Sequence, residues 1–209
     1  MKTVHYAINI GRQFGSGGRD IGKKLAERLG ISFYDKELIA IASQKSGLSK
    51  EFFEKADEKA SRSFAGGLIG LRSTFIGDEY VENYLGNESL FKIQSDVIKE
   101  INQNEPAVFV GRCADYVLRD NPCAINIFIS SEASIRIKRV ASRKNISARK
   151  AKELIEKTDK NRASYYNYYS NKKWGRAETY HLSINSTIGV DKCVDIIENF
   201  LKIKLCDHL

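Results

Sequence analysis

The sequence has few of the residues that crosslink small proteins or bind metals. Its 209 residues include only four Cys and three His. The cysteines show no C-x-x-C spacing, which argues against a disulfide framework and against a zinc cluster. No apolar run approaches the ~18 to 20 residues that span a bilayer, and the first residues lack the pattern of a secretory signal. We therefore expect a cytoplasmic protein without membrane association, in a reducing compartment.

What the sequence does have is enough apolar material for one buried core. Hydrophobic residues make up 42% and charged residues 29% of the chain, a balance typical of a folded domain. Repeats and low-complexity linkers are absent. We expect a single domain over residues 1–209, in which residues 36–104 form a long and mostly helical region.

Positive charge is concentrated in one segment. The chain holds 34 Lys and Arg against 26 Asp and Glu, a net charge of +8. Residues 136–176 contain 14 of these basic residues and three of the acidic ones, so the rest of the chain has 20 against 23. This segment indicates either a nucleic-acid surface or a phosphate site.

The order of strand-like and helix-like segments predicts an α/β fold. VHYAINI (4–10) reads as a buried strand that stops at Gly11, and ISFYD, AVFVG, AINIFIS and YHLSIN read as further strands. Helix-like sequence follows most of them. Alternation of this kind favours a three-layer fold, a parallel sheet with helices on both faces.

A glycine-rich segment, residues 13–18 (the glycine loop), lies between the first predicted strand and the first predicted helix. Glycine amides and a helix N-terminus can surround a phosphate in this position, and parallel sheets bind ligands at the carboxyl ends of their strands. The three glycines of the loop, Gly15, Gly17 and Gly18, are therefore candidate nucleotide contacts. A turn without a ligand is the alternative.

The glycine loop departs from the pattern G-x-x-x-x-G-K-[ST]. If Gly17 is the second glycine of the pattern, Gly18 replaces the lysine and Arg19 replaces the hydroxyl residue. Arg19 is then the candidate for the missing positive charge, and Ser16 and Asp20 are the candidates for holding a metal through water. The guanidinium group of arginine is planar and has several N–H groups in fixed directions, whereas the ammonium group of the usual lysine is a compact point charge. A dinucleotide loop fits less well, because its third glycine would be Asp20.

Several segments together resemble the cytidylate kinase-like family, a branch of the P-loop nucleoside monophosphate kinases. The likeness is strongest in AINIGRQFGSGGRDIGKKLAERLGISFYDKELI, where the variant loop is a family feature, and it extends to VFVGRCADYVL, DKNRASYYNYYSNKKWG and LSINSTIGVDKCVDIIENFL. The resemblance implies a P-loop kinase fold. It also implies that residues 36–104 bind the acceptor and that residues 143–176 form a basic lid.

For the acceptor, the resemblance implies two contacts. Asp35 matches the acidic residue that faces the acceptor nucleoside, and Arg112 matches the arginine that binds the acceptor phosphate. The residues alone leave alternatives open. Asp35 also suits the N-cap of a following helix, and Arg112 could pair with Asp115 at the surface.

For the donor, the resemblance assigns residues in the basic segment. Arg136 and Arg139 match an R-x-x-R near the donor nucleotide, and Asp159 with Arg162 matches the D-x-x-R of the lid. With Arg19, the lid pair is the candidate catalytic set. Phosphoryl transfer depends mainly on positioning and on neutralising charge, which converging arginines provide.

Aromatic residues are interleaved with the basic residues of the segment 136–176. Tyr165 lies on the same helix face as Tyr168 and Tyr169, so a packed stripe is one interpretation. A single-stranded nucleic-acid platform is another. Most of the lysines are expected to be solvated: Lys144, Lys150, Lys152, Lys172 and Lys173.

The leading hypothesis is an enzyme that uses ATP and Mg²⁺ to phosphorylate a small acceptor. The resemblance points to a pyrimidine nucleoside monophosphate, CMP or dCMP, and we do not expect a nucleic-acid partner. A nucleotide-binding regulatory protein without kinase activity is the first alternative, because the loop lacks the lysine and the hydroxyl. A single-stranded RNA-binding protein is a weaker alternative.

Overall fold

The computed structural model describes residues 5–35 and 87–206. Its contacts divide the chain into two compact units, Met1–Lys36 with Lys99–Leu209, and Glu37–Ile98. Most of the region 36–104, including the sequence KELIAIASQKSG at its start, which is periodic like a helix, lies outside the described residues. Elements are numbered below in chain order within the described part.

The first unit is built on a parallel sheet of five strands in the described part. The order across the sheet is β2-β3-β1-β4-β5, and every neighbouring pair is parallel. The strands are β1 (Ala7–Arg12), β2 (Ser32–Tyr34), β3 (Ala107–Val110), β4 (Ala124–Ser130) and β5 (Leu182–Asn185). The predicted α/β class is confirmed.

The first strand runs past the glycine at which the sequence predicted its end. Gly11 pairs with Phe128 and Arg12 pairs with Ile129 of β4, so the prediction of a turn at Gly11 was wrong. A Cβ at Gly11 would lie 2.9 Å from the Phe128 ring and 3.2 Å from the Tyr180 ring. Gly11 therefore provides room for two aromatic rings within a strand.

One face of the sheet carries the main apolar core. Because side chains alternate along a strand, Ile8 and Ile10 project to the same face. The strand residues of this buried layer are Ile8, Ile10, Val108, Val110, Ile125, Ile127, Ile129 and Ile184. Two helices, α1 (Gly18–Leu29) and the C-terminal α6 (Val190–Cys206), cover the layer.

The described part of the chain contains four further helices. They are α2 (Asn87–Asn104), the short α3 (Ala114–Val117) packed against β1 and β4, α4 (Ala133–Lys144) and α5 (Ala148–Ser170). Short 3₁₀ turns span Ala177–Thr179 and Ser186–Ile188. Helices thus lie on both faces, as the sequence predicted.

A hairpin of α4 and α5 forms a second, smaller core. Val140, Ala151 and Ile155 are buried there, and Phe14 of the glycine loop packs against them. The link between the helices begins after Asn145, which caps α4 in the left-handed conformation. Much of the basic segment therefore forms a helical hairpin beside the loop.

No helix in the described ranges, 5–35 and 87–206, is long and apolar enough to span a membrane.

Candidate nucleotide site

The glycine loop lies at the carboxyl edge of the sheet, between β1 and α1. Gly17 caps the helix in the left-handed conformation, with φ 82°, and Gly15 has φ 78°. The first amides of a helix have no acceptor within it and carry the positive end of its dipole. The start of α1 at Gly18 is therefore suited to bind an anion.

Two of the loop glycines are also required by packing. A Cβ at Gly15 would lie 2.9 Å from Cγ2 of Val140, and one at Gly18 would lie 2.6 Å from Cβ of Arg12. Helix α4 and strand β1 therefore approach the loop too closely for any side chain. Packing therefore requires glycine at both positions, whether or not the loop binds a ligand.

Arginines of α4 bind three successive carbonyl groups of the loop. Arg136 Nη1 donates to the Phe14 carbonyl at 3.3 Å, and Arg139 Nη1 donates to the carbonyl groups of Ser16 at 3.0 Å and Gly15 at 3.5 Å. Ser186, just after β5, donates its hydroxyl to the same Ser16 carbonyl. The predicted donor-site arginines thus contact the loop itself.

Helix α5 brings the predicted lid residues Asp159 and Arg162 into contact with the loop and with the end of β1. Asp159 Oδ1 accepts a hydrogen bond from the Phe14 amide at 2.7 Å, and Oδ2 pairs with Arg136 Nη1 at 2.5 Å. Arg162 donates to the Arg12 carbonyl at 3.2 Å, and its Cζ lies 5.4 Å from the centre of the Phe14 ring. Both residues therefore adjoin the loop.

Arg19 and Asp35 form an ion pair at the same edge. Arg19 Nε lies 2.6 Å from Asp35 Oδ2, and the Arg19 guanidinium lies 5.8 Å from the Phe33 ring centre. The predicted donor-side and acceptor-side residues are thus in direct contact. Whether Asp35 also caps a helix lies outside the described residues.

The two candidate metal ligands, Ser16 and Asp20, differ in their surroundings. Asp20 pairs with Arg143 of α4. Ser16 is completely buried, and its hydroxyl has no hydrogen-bond partner among the residues that the structure describes. In the same part of the chain, no three His, Cys, Asp or Glu side chains cluster in a way that could hold a metal. A metal role for Ser16 and Asp20 stays a prediction.

Arg112 follows β3 in a strained backbone. Gly111, Arg112 and Cys113 have φ values of 86°, 55° and 53°, and the left-handed region costs a residue with a Cβ about 1 to 2 kcal/mol. The Arg112 guanidinium lies 5.4 Å from the Tyr165 ring centre. Strain of this kind clusters at functional sites. Here the backbone conformation sets the position of Arg112 directly after the end of β3.

Beneath Arg112 lies a buried tyrosine and carboxylate cluster that the sequence interpretation missed. The Tyr166 hydroxyl donates to Asp115 Oδ2 at 2.6 Å, so Asp115 is engaged by α5. Burial raises the pKa of Asp115 and of the Cys113 thiol. Burial likewise raises the pKa of Tyr165 to about 12. The signal available in the sequence was the apolar neighbourhood of Asp115 in CADYVL.

Part of the predicted tyrosine stripe is confirmed, because Tyr165 packs against Tyr169, whereas Tyr168 is 69% exposed. Tyr165 and Tyr169 meet edge to face with ring centres 4.8 Å apart, and Tyr168 meets Tyr169 at 4.9 Å. The five lysines expected to be solvated, Lys144, Lys150, Lys152, Lys172 and Lys173, are all exposed. Within the basic segment, Arg136, Arg139 and Arg162 contact the loop or the end of β1. Arg149 and Arg176 are exposed like these lysines.

Gln13, Phe14 and Ser186 also hold the loop but were not singled out from the sequence. Gln13 Oε1 accepts from the Ser131 amide at 3.1 Å, which ties the loop to the end of β4. Phe14 carried a signal, because a large apolar ring is unusual in a glycine-rich turn. Ser186 lies in the turn after β5, where only the tertiary fold places it near residue 16.

Solved structures of other proteins resemble this one. An uncharacterized protein from Eubacterium ventriosum is 30% identical, with 95% of this chain and 99% of that one covered and a TM-score of 0.69. Shikimate kinase from Bacteroides thetaiotaomicron is 12% identical over 94% and 98% of the two chains, with a TM-score of 0.51. The protein TT1252 from Thermus thermophilus, at 13% identity over 98% of each chain, has a TM-score of 0.50.

The two distant structures are informative about the fold alone, and the fold is that of the P-loop kinases. No curated protein matches the sequence significantly. The sequence pattern of one family, however, matches residues 7–188, which include the glycine loop, Arg112, the α4–α5 hairpin and the turn at Ser186. The chain belongs to the cytidylate kinase-like family.

Proposed function

We propose that the protein transfers the γ-phosphoryl group of ATP, with Mg²⁺, to a pyrimidine nucleoside monophosphate such as CMP or dCMP. One observation carries the proposal. The glycine loop, the N-terminus of α1 and arginines from α1, from the end of β3 and from α5 converge at one edge of the sheet. Phosphoryl transfer needs this combination of positioning and positive charge.

On the donor side, the amides of Gly17, Gly18 and Arg19 at the start of α1 would hold the β- and γ-phosphates. The Arg19 bond to Asp35 uses Nε, and a guanidinium has further N–H groups on its two Nη atoms. Arg19 can therefore keep its ion pair and still bind a phosphate oxygen. In this way it would replace the lysine that the loop lacks.

The metal would arrive with the nucleotide. Mg²⁺ keeps several waters and binds substrate phosphates together with one or two protein oxygens, and when bound it neutralises charge on the phosphates. The unsatisfied hydroxyl of Ser16 and the carboxylate of Asp20 are the protein groups that fit this requirement. Asp20 would have to exchange its Arg143 partner for a metal-bound water.

On the acceptor side, Arg112 and Asp35 would bind the monophosphate. The planar guanidinium of Arg112 matches the two oxygens of a phosphate, and stacking on Tyr165 limits its freedom. Asp35 is buried beside Arg19, and its carboxylate would accept a hydrogen bond from a hydroxyl or amino group of the nucleoside. Arg162 would neutralise charge that develops on the transferred group.

A coupled assay of ADP release tests the proposal. Purified protein is given ATP, Mg²⁺ and one acceptor at a time, namely CMP, dCMP, UMP, AMP, GMP and, as an acceptor outside this class, shikimate. We expect turnover to be fastest with CMP or dCMP. Faster turnover with another acceptor would replace the pyrimidine assignment, and absence of turnover with all of them would contradict the kinase proposal.

A nucleotide-binding protein without catalysis is the second candidate. The absence of the loop lysine and hydroxyl favours it, together with the occupation of Arg19 by Asp35 at 2.6 Å. Isothermal titration calorimetry separates the two candidates. Binding of ATP without ADP release at any acceptor would support this second function over the first.

A further inference from the structure

We propose that Asp159 is a positioning residue, which holds the glycine loop in its phosphate-binding shape by binding the amide of Phe14. The inference rests on the proposed function, in which this loop binds the phosphates of a nucleotide. It differs from a catalytic role, because the carboxylate is directed at the protein backbone.

Both carboxylate oxygens of Asp159 are engaged within the protein. Oδ1 accepts from the Phe14 amide at 2.7 Å, and Oδ2 accepts from Arg136 Nη1 at 2.5 Å. The side chains of Arg136 and Asp159 are only 12% and 16% exposed. A hydrogen bond to an ionised carboxylate in such a place is among the stronger ones in proteins.

Phe14 is the residue through which the loop is anchored. Its ring packs against the small core of the α4–α5 hairpin, its carbonyl accepts from Arg136, and its amide donates to Asp159. Gly15 follows directly, in the left-handed conformation. A change in the Phe14 peptide would therefore move Gly15 and the amides beyond it.

The direction in which phosphate affinity changes when Asp159 is removed distinguishes a positioning role from no role. A carboxylate beside a phosphate site repels the ligand, so removing it from a site where it does nothing else should strengthen anion binding. If Asp159 positions the loop, removing it should weaken binding, because the loop then loses its preorganised shape. The two roles predict opposite changes in affinity.

The substitutions separate the hydrogen bond from the charge. Asp159→Ala removes both, and it leaves the Arg136 charge without its partner, which is itself destabilising. A double variant, Asp159→Ala with Arg136→Met, removes that isolated charge. It is compared with Arg136→Met alone, because this substitution also removes the Arg136 bond to the Phe14 carbonyl. Asp159→Asn keeps an oxygen that can accept from the Phe14 amide. Glu153→Gln is the matched control, because Glu153 is an exposed acid on the same helix and pairs with Arg149.

The ligand used is inorganic tripolyphosphate, titrated into each variant by calorimetry, with hydrogen exchange of the Phe14 amide as a second readout. We expect Asp159→Ala to bind about tenfold or more weakly than the unaltered protein, as loss of a charge-assisted hydrogen bond implies. The double variant should likewise bind more weakly than Arg136→Met. The Phe14 amide of Asp159→Ala and of the double variant should exchange faster than in the unaltered protein. Asp159→Asn should keep most of the protection and most of the affinity, and Glu153→Gln should not bind more weakly.

Equal or tighter binding in both Asp159→Ala and the double variant, each relative to its own reference protein, would overturn the inference, as would unchanged exchange at Phe14. These results would leave the proposed function intact. If the unaltered protein bound neither tripolyphosphate nor ATP, the proposed function would fail, and the inference with it.

Discussion

Arg19 binds Asp35 through Nε at 2.6 Å, and the two side chains differ sharply in exposure. The Arg19 side chain is 55% exposed, whereas that of Asp35 is 5% exposed. A buried acid therefore holds a guanidinium whose other N–H groups reach toward solvent at the carboxyl edge of the sheet. The pair gives a physical reason for the arginine at this position, where the common pattern has a lysine nearby.

We predict that Arg19→Lys lowers turnover about as severely as Arg19→Met. A lysine carries one ammonium, which can pair with Asp35 or bind a phosphate, whereas the arginine fork can do both. The loss should be ~10²-fold to 10³-fold, the range for removing one donor to a developing charge. The measurement is ADP release at saturating ATP.

The control for Arg19 is Lys23→Met on the next turn of α1, where Lys23 is exposed and pairs with Glu27. This variant should keep its turnover. Full activity in Arg19→Lys would mean that a point charge suffices at this position.

Arg162→Ala should reduce turnover far more than it reduces stability. Arg162 donates a hydrogen bond to the Arg12 carbonyl and lies over the Phe14 ring. Loss of these two contacts costs about 1 to 2 kcal/mol of unfolding free energy. Neutralising the transferred group is worth ~3 to 4 kcal/mol. Denaturant unfolding and ADP release, measured on the same samples, give both quantities.

Lys160→Ala is the matched control for Arg162, since Lys160 is exposed on the same helix. It should change neither quantity. A fall in turnover that merely follows the loss of stability in Arg162→Ala would argue for a structural role.

The strained backbone at Arg112 predicts different stabilities for the glycine and alanine substitutions. Arg112→Gly should be more stable than Arg112→Ala by about 1 kcal/mol, because glycine adopts the left-handed conformation at φ 55° without the Cβ penalty. Both variants should lose affinity for the acceptor equally, since both lack the guanidinium. Denaturant unfolding and the KM for CMP are the measurements. An alanine variant as stable as the glycine variant would mean that the backbone relaxes when the arginine is removed.

Local sequence patterns were sufficient to predict the framework of the site. The strand, glycine loop and helix from Ala7 to Leu29 follow from side-chain periodicity and from Gly30 as a C-cap. The family resemblance assigned Asp35 and Arg112 to the acceptor, and both follow predicted strands, whose carboxyl ends bind ligands in a parallel sheet. The contact between Tyr165 and Tyr169 was predicted from helical spacing alone.

The contacts that hold the loop could not be predicted in this way. Asp159 binds Phe14 across 145 positions of sequence, and Ser186 binds the Ser16 carbonyl across 170. Every residue has a backbone carbonyl group and almost every one has an amide, so the sequence does not show which of them a side chain will bind. Arg136 and Arg139 were therefore assigned to the donor nucleotide, whereas in the structure they bind carbonyl groups of the loop. Gly11 illustrates the same difficulty, because its role depends on aromatic rings from Phe128 and Tyr180.

The buried Asp115 should make stability depend on pH. Burial raises its pKa above the ordinary 3.8, against the opposing effects of Tyr166 and Lys172. The folded protein then binds this proton more tightly than the unfolded chain, so the unfolding free energy falls as pH rises from 3.8 through the folded pKa. The side chain in Asp115→Asn does not titrate, so this variant does not lose stability in this way. The unfolding free energy of the variant minus that of the unaltered protein should therefore increase over that pH interval. Denaturant unfolding at several pH values measures the difference; a difference that moved in the opposite direction would mean that the cluster stabilises the ionised carboxylate.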